Sequence, residues 1–275
     1  MEELQKLKAE DLIEYIKNLT AYNHKIYYYG PTIENELVDV LNNRHKSPEQ
    51  LKPYPDAIAF KAIDAQESKV YFSDFDMVQA NIYWAAKGDP YNINELAEGA
   101  LFNEYFGGSM GSIVFQSLRE ARALAYSTYS KYETPNRKND PFFTTAFIGT
   151  QADKIDEAIE GMNDLLHHLP QTEVLLENAR KGLKGQIEAQ RIIRNDILMN
   201  YDQAVRMGND HDVRRDVYDN IDRLSMSDLD KFHQENFESR KYTLCVLASK
   251  KTINPNDLNK YGKVEELTLE QIFGY

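Results

Sequence analysis

The chain has 275 residues, 42% of them hydrophobic, with 18 Tyr, 12 Phe and 1 Trp. That supply of large apolar side chains excludes a disordered chain and suits one large domain, or one domain with a fragment of another, at about 100–200 residues per domain. Its 32 basic and 44 acidic side chains leave a formal charge of -12, a field that repels phosphate backbones and anionic lipid heads, so neither nucleic acid nor a membrane is expected as a partner.

The amino-terminal MEELQKLKAEDL is charged and unlike a signal peptide, and no apolar run approaches the roughly 18 residues of a membrane helix. The chain therefore reads as soluble, with cytoplasm and periplasm both open. In chain order, KAEDLIEYIKNL sets Leu12, Ile13, Ile16 and Leu19 at helical spacing, HKIYYY (24–29) reads as a strand closed by Gly30 and Pro31, and IENELVDVLNN reads as a second helix. KSPEQLKPYPD carries three prolines within eight residues and predicts an extended linker over 47–56.

SKVYFSDF and MVQANIYWAAKG predict a pair of strands, the second with Val78, Ala80, Ile82 and Trp84 on one face. NINELAEGALFNEYFGG predicts a helix stopped at Gly107 and Gly108, and SIVFQSLREARA a second helix after a tight turn that includes Gly111, with Ser109 or Ser112 as its N-cap. LAYSTYSKYE predicts a strand with Leu124, Tyr126 and Thr128 on one face, and FFTTAFIGT its hairpin partner. Ile155, Ile159, Met162, Leu166 and Leu169 mark an amphipathic helix ended by Pro170, followed by a helical stretch from Glu173 to Met207 broken near Arg194, Asn195 and Asp196. MSDLDKFHQENF predicts another helix, KYTLCVLA a strand that buries the thiol of Cys245, and INPNDLNKYG a short helix. The order predicts an α+β fold, a mixed, largely antiparallel sheet covered on one face by helices.

The helix-strand-helix order at the start of the chain returns at its end, with Asp11 and Leu12 aligning to Asp228 and Leu229, and Tyr15 to Phe232, without a gap. Residues 1–46 thus read as the tail of a preceding homologous αβ repeat, 47–56 as the linker, and 57–275 as a complete repeat.

Six histidines (His24, His45, His167, His168, His211, His233) exist, but none stands in H-E-x-x-H or H-x-x-E-H, so no metal site is expected in this chain and its histidines are expected to be solvated or capping. A lone Cys245 excludes an intrachain disulfide. There is no G-x-S-x-G elbow and no phosphate-binding glycine motif. What remains is the segment 103–130, NEYFGGSMGSIVFQSLREARALAYSTYS, which puts Arg119 near a helix end and Tyr126 seven residues later. An Arg fork and a phenol near one loop suit a peptide carbonyl or carboxylate, and equally a surface ion pair beside a packed Tyr.

In this segment the glycine-rich stop, the Ser, the L-R-E and the L-A-Y-S are similar to the signature of the pitrilysin/insulinase group of zinc peptidases, which includes the mitochondrial processing peptidases. Weaker likeness runs from about Tyr71 to Tyr275. The resemblance implies repeated αβ domains in two halves that close around an unfolded peptide, with the H-x-x-E-H zinc site in the amino-terminal half. It implies that this chain belongs to the carboxy-terminal, non-zinc half, with zinc in the missing amino-terminal half or in a partner subunit. Arg119 would bind peptide backbone, and Tyr126 would stabilise the scissile carbonyl or its oxyanion. Ala123 stands where the family commonly has Gly, and the zinc motif is absent, so the chain is not expected to cleave peptides alone. The alternative is a catalytically inactive peptide-binding or scaffold subunit of the same family.

Overall fold

The computed structural model describes residues 2–56, 58 and 60–274, so the repeat limits expected at 1, 57 and 275 lie outside the described residues. The chain divides into two compact units, one holding residues up to Lys61 with Ile192–Asn200, the other Ala62–Arg191 with Tyr201–Gly274.

The first unit carries α1 (Glu2–Lys6), α2 (Ala9–Asn18) and α3 (Glu34–Arg44). None of the α2 or α3 residues is buried, and the apolar stripe of α2 is open: Leu12 is 50% and Tyr15 66% exposed. The strand expected at 24–29 does not form. A strand is held by its neighbours' ladder, and in this unit the β pairing among the described residues is a single bridge, Tyr22 to Lys52. The segment is pinned instead by imidazoles. The Tyr22 carbonyl can only accept, so His24 Nδ1–H donates to it at 2.6 Å, and His24 Nε2 shares a hydrogen bond with His45 Nε2 at 2.7 Å.

The second unit is a six-stranded sheet: β1 (Lys69–Asp74), β2 (Gln79–Pro90), β3 (Ser127–Glu133), β4 (Pro141–Gln151), β5 (Thr243–Ala248) and β6 (Lys263–Glu266), in the order β3-β4-β2-β5-β1-β6. β1 is parallel to β5 and β6, and the other three pairings are antiparallel. The expected pairing of β1 with β2 is corrected: β5 lies between them, parallel to one and antiparallel to the other. Alternation along a strand sets which side chains face the core but not which strand is the neighbour. Val78 lies outside β2 and is 89% exposed, whereas Ala80, Ile82 and Trp84 are fully buried. β6 carries too weak a pattern, KVEE, to have been read from sequence.

Helices cover one face of this sheet, among them α4 (Leu96–Phe106), α5 (Ile155–His167) and α9 (Met226–His233); α6 (Glu173–Ala189), α7 (Arg194–Met207), α8 (Val213–Asn220) and α10 (Leu269–Phe273) are further α-helices after β2. α5 buries Ile155, Ile159, Met162 and Leu166 as its spacing requires, and ends at His167, ahead of Pro170. The break between α6 and α7 falls at 190–193, slightly before the expected position, and α8 was not anticipated. α9 starts on a capping box, with Ser225 and Asp228 each bonding the other's backbone N–H. The core centres on Phe102, Phe106, Phe232 and Phe237, whose rings meet in tilted and edge-on pairs, each buried ring contributing about 1.5–3 kcal/mol. His233 is a member of that cluster rather than a solvated histidine. It is 1% exposed, lies 3.2 Å from the Leu165 carbonyl, and burial pushes its pKa down. Trp84 donates its indole N–H to Asn163 Oδ1 at 2.9 Å, which satisfies the polar atom of an otherwise dry ring.

On the opposite face of the sheet side chains such as Tyr71, Tyr83 and Phe147 stay half-buried. Cys245 is exposed there, not buried: in β5 it alternates with Leu244 and Val246, which take the core side.

Candidate functional site

The segment from Asn103 to Ser130 is shaped by close backbone approach. α4 stops as the Gly107 and Gly108 N–H groups both bond the Asn103 carbonyl, at 3.1 and 2.7 Å. Gly107 has φ -146, so left-handed freedom is not its reason. Its reason is space: a Cβ there would lie 2.3 Å from the Ser130 carbonyl oxygen, and one on Gly108 2.8 Å from that of Asn103. Gly111 has only Ser109 Oγ near, at 3.8 Å. The outer edge of β3 is thereby closed: Ser130 N–H donates to Gly107 O at 3.3 Å, and the Asn103 carboxamide accepts from Tyr132 N–H at 2.7 Å and donates to its carbonyl at 3.0 Å. Asn103 acts as one rung of a missing strand.

Beyond the turn, Ser112 is not an N-cap acceptor; its hydroxyl donates to the Ser109 carbonyl at 2.6 Å. The helix expected over 112–123 is wound as a π-helix, Phe115–Ala121. Leu118 points into the core, meeting the gap left by Gly161 of α5, and Arg119 faces outward. The guanidinium of Arg119 lies 4.8 Å from the Phe115 ring centroid, and it has no carboxylate partner among the described residues. The turn closes by a bond from Leu124 N–H to the Leu118 carbonyl at 2.9 Å, across Ala123 at φ +50. Among the described residues Ala123 is the non-glycine with positive φ, at the position where the resemblance leads one to expect Gly.

Tyr126 does not share a face with buried Leu124 and Thr128. Its N–H donates to Gly149 O at 2.8 Å, while Ser127 is already the ladder partner of Gly149. Two successive residues therefore address one, as in a β-bulge, and the extra residue is re-aimed. The phenol emerges 52% exposed and accepts from Gln151 Nε2 at 3.1 Å, so its own O–H proton remains available to a further acceptor. Arg119 and Tyr126 are placed on either side of the Ala123 turn with no hydrogen bond between them among the described residues. The π-winding, the positive φ and the bulge had no local signal beyond Ala123.

Among the described residues no group of three or more His, Cys, Asp or Glu side chains is placed to hold a metal ion, so these residues do not fit a catalytic zinc. Among the described residues no helix is long and apolar enough to cross a membrane.

Comparison with known proteins follows the same line. The family described as the peptidase M16 inactive domain matches residues 6–183. The "Non-peptidase homolog YmxG" of Helicobacter pylori is 21% identical over 258 residues, covering 91% of this chain and 58% of that protein. The "Uncharacterized zinc protease YmxG" of Bacillus subtilis is 30% identical over 112 residues, 40% of this chain and 27% of that protein. A crystal structure of a conserved protein from Enterococcus faecalis has a TM-score of 0.71 at 17% identity, over 91% of this chain and 58% of that one. The chain thus spans 58% or less of the length of these relatives. By the match over residues 6–183 and with an α+β fold, the chain belongs to the peptidase M16 inactive-domain family.

Proposed function

We propose that this chain is the non-zinc portion of a zinc-dependent endopeptidase, closing a chamber and orienting a peptide for hydrolysis at a zinc site that the amino-terminal half or a partner subunit carries. The observation that carries the reading is Tyr126, lifted clear of β3 with its phenolic proton unclaimed. Aimed at a peptide carbonyl, that proton stabilises the charge that grows on oxygen as the bond is attacked, an effect of about 2.7–4 kcal/mol for one well-placed donor. Arg119, outward-facing and without a carboxylate partner among the described residues, holds peptide backbone carbonyls through its fork. Gly107 and Gly108 hold α4 against β3, and with Gly111 form the turn ahead of the π-helix.

The same reading takes residues 1–46 as the end of a preceding αβ repeat, 47–56 as a linker and 57–275 as the following repeat. The fate of aligned positions supports it. Leu229 and Phe232 of α9 are 0% and 2% exposed against their sheet, while Leu12 and Tyr15 of α2 are 50% and 66% exposed with no sheet in their unit.

The test mixes this chain with the zinc-bearing half and follows cleavage of a mixed peptide library. Tyr126→Phe is expected to lower turnover about 10²–10³-fold, the loss typical of one oxyanion donor, and Arg119→Ala to raise KM. The second reading, a catalytically inactive peptide-binding or scaffold subunit, is favoured by the "non-peptidase" name of the Helicobacter pylori relative, which aligns with 91% of this chain. It is chosen if the mixture cleaves nothing, or cleaves equally well with both variants.

A further inference from the structure

On the face of the sheet opposite α4, α5 and α9 one side chain from each strand falls in a single transverse row: Glu265, Tyr71, Cys245, Tyr83, Phe147 and Tyr129, each the ladder partner of the next. Four of the six are aromatic. Tyr129 and Phe147 stack at 5.4 Å, Tyr129 is 38% exposed, and Tyr71, Tyr83 and Phe147 are half-buried, with Lys69 Nζ 4.6 Å from the Tyr71 ring centroid. With strands about 4.8 Å apart, the run from Tyr71 to Tyr129 spans about 19 Å. Aromatic side chains brace neighbouring strands, but a row continued over five strands is also an apolar patch of the kind that marks binding surfaces.

The row is continuous with the Tyr126 site. The phenol of Tyr126 rests on Gln151, and moving along β4 on the same face leads to Gly149 and then Phe147. The intervening row, with Asn81, Gly149 and Ser127, is low and polar. Two such steps of about 6.6 Å put the aromatic row about 13 Å from the Gln151 level, the reach of about four residues of extended chain at 3.3 Å each. The Phe147 ring leans over Gly149, with Cζ 3.7 Å from where a Cβ would stand, and Asn81 Oδ1 lies at 3.2 Å from that point, so the aromatic row reaches toward Tyr126 beside hydrogen-bonding groups.

We infer that this aromatic row is a side-chain subsite for an extended peptide, taking an aromatic or branched aliphatic residue about four positions from the bond that Tyr126 addresses. The inference rests on the peptide-orienting reading above. It adds a specificity: a segment with an apolar residue at that spacing is held, and one with an acidic or small residue there is not.

Cys245, the chain's one cysteine, sits in the middle of the row and reports on it. The experiment measures reaction of the intact chain with a thiol-selective disulfide reagent at fixed pH, with and without decapeptides of Gly, Ser and Gln carrying one Phe, Leu, Ser or Asp. Phe and Leu peptides at saturation are expected to slow labelling at least fivefold, and Ser and Asp peptides to leave it unchanged. Tyr83→Ser and Phe147→Ser are expected to weaken Phe-peptide binding at least tenfold; labelling of the unsubstituted chain keeps the test independent of whether those variants fold. Peptide binding that leaves the Cys245 rate unchanged, or that ignores the Phe-to-Asp exchange, overturns the subsite while the reading of Tyr126 stands on its own turnover test. Failure of every peptide to bind at millimolar concentration also overturns the subsite.

Discussion

Gly107→Ala tests the packing that presents the site. A Cβ at this position would lie 2.3 Å from Ser130 O, 2.5 Å from Ser130 N and 2.7 Å from Ser130 Cα, and only movement of α4 or β3 relieves contacts with backbone. Forcing an extra carbon into a filled space costs about 1–3 kcal/mol. The shift also breaks the bond from Ser130 N–H to Gly107 O, worth about 1 kcal/mol. The expected loss is therefore about 3 kcal/mol, or about 6–12 °C in Tm at 2–4 °C per kcal/mol for a unit of this size. Gly111→Ala is the internal control, because its nearest neighbour is Ser109 Oγ at 3.8 Å; its change should stay within about 0.5 kcal/mol. Urea unfolding followed by the fluorescence of Trp84, the single and fully buried tryptophan, measures both. A Gly107→Ala protein as stable as the parent, or a Gly111→Ala protein equally damaged, would refute the close-approach account.

Ala123→Gly should raise stability by about 0.5–1 kcal/mol, since relief of the left-handed alanine outweighs the added freedom of the unfolded chain; a drop in urea midpoint would count against the strained turn. For His233, burial pushes the folded pKa below the ordinary 6.5, so as pH falls below about that value the unfolded chain binds a proton the folded one refuses. Stability is then lost on acidification, by at most about 1.4 kcal/mol per pH unit from this group. His233→Gln should flatten the curve of urea midpoint against pH between 7 and 5, and an unchanged slope would remove His233 as the cause. Dialysis of this chain against EDTA should leave Tm within about 2 °C, less than roughly 1 kcal/mol of linked binding; a larger fall would reveal a metal site.

Much of the second unit was legible because burial follows local periodicity. Ile82 and Trp84 at period two, and Ile155, Ile159 and Met162 at three and four, declare their faces without reference to any partner. Arg119 and Tyr126 were legible as an Arg fork and a phenol near one loop, and the likeness of the glycine-rich stop, the L-R-E and the L-A-Y-S gave them their expected roles. The aromatics of the opposite sheet face were also in plain view, as the second set of alternating positions in four strands. Alternation alone does not set them apart, because a half-exposed Tyr in a strand is ordinary until its neighbours are known.

In the second unit the sequence by itself determined most of the helices and strands and the buried faces of β2 and α5, and it holds neither H-E-x-x-H nor H-x-x-E-H. Tertiary structure alone decided that β5 enters between β1 and β2, that His233 is in the core and Cys245 out of it, and that residues 24–29 remain without a ladder. It also decided that Gly107 serves contact with Ser130 rather than a positive φ, and that Tyr126 stands clear of its strand. The division has one physical cause. Periodicity and capping are properties of neighbours in sequence, whereas ladder pairing, close approach and bulges depend on backbones that meet after long separations along the chain.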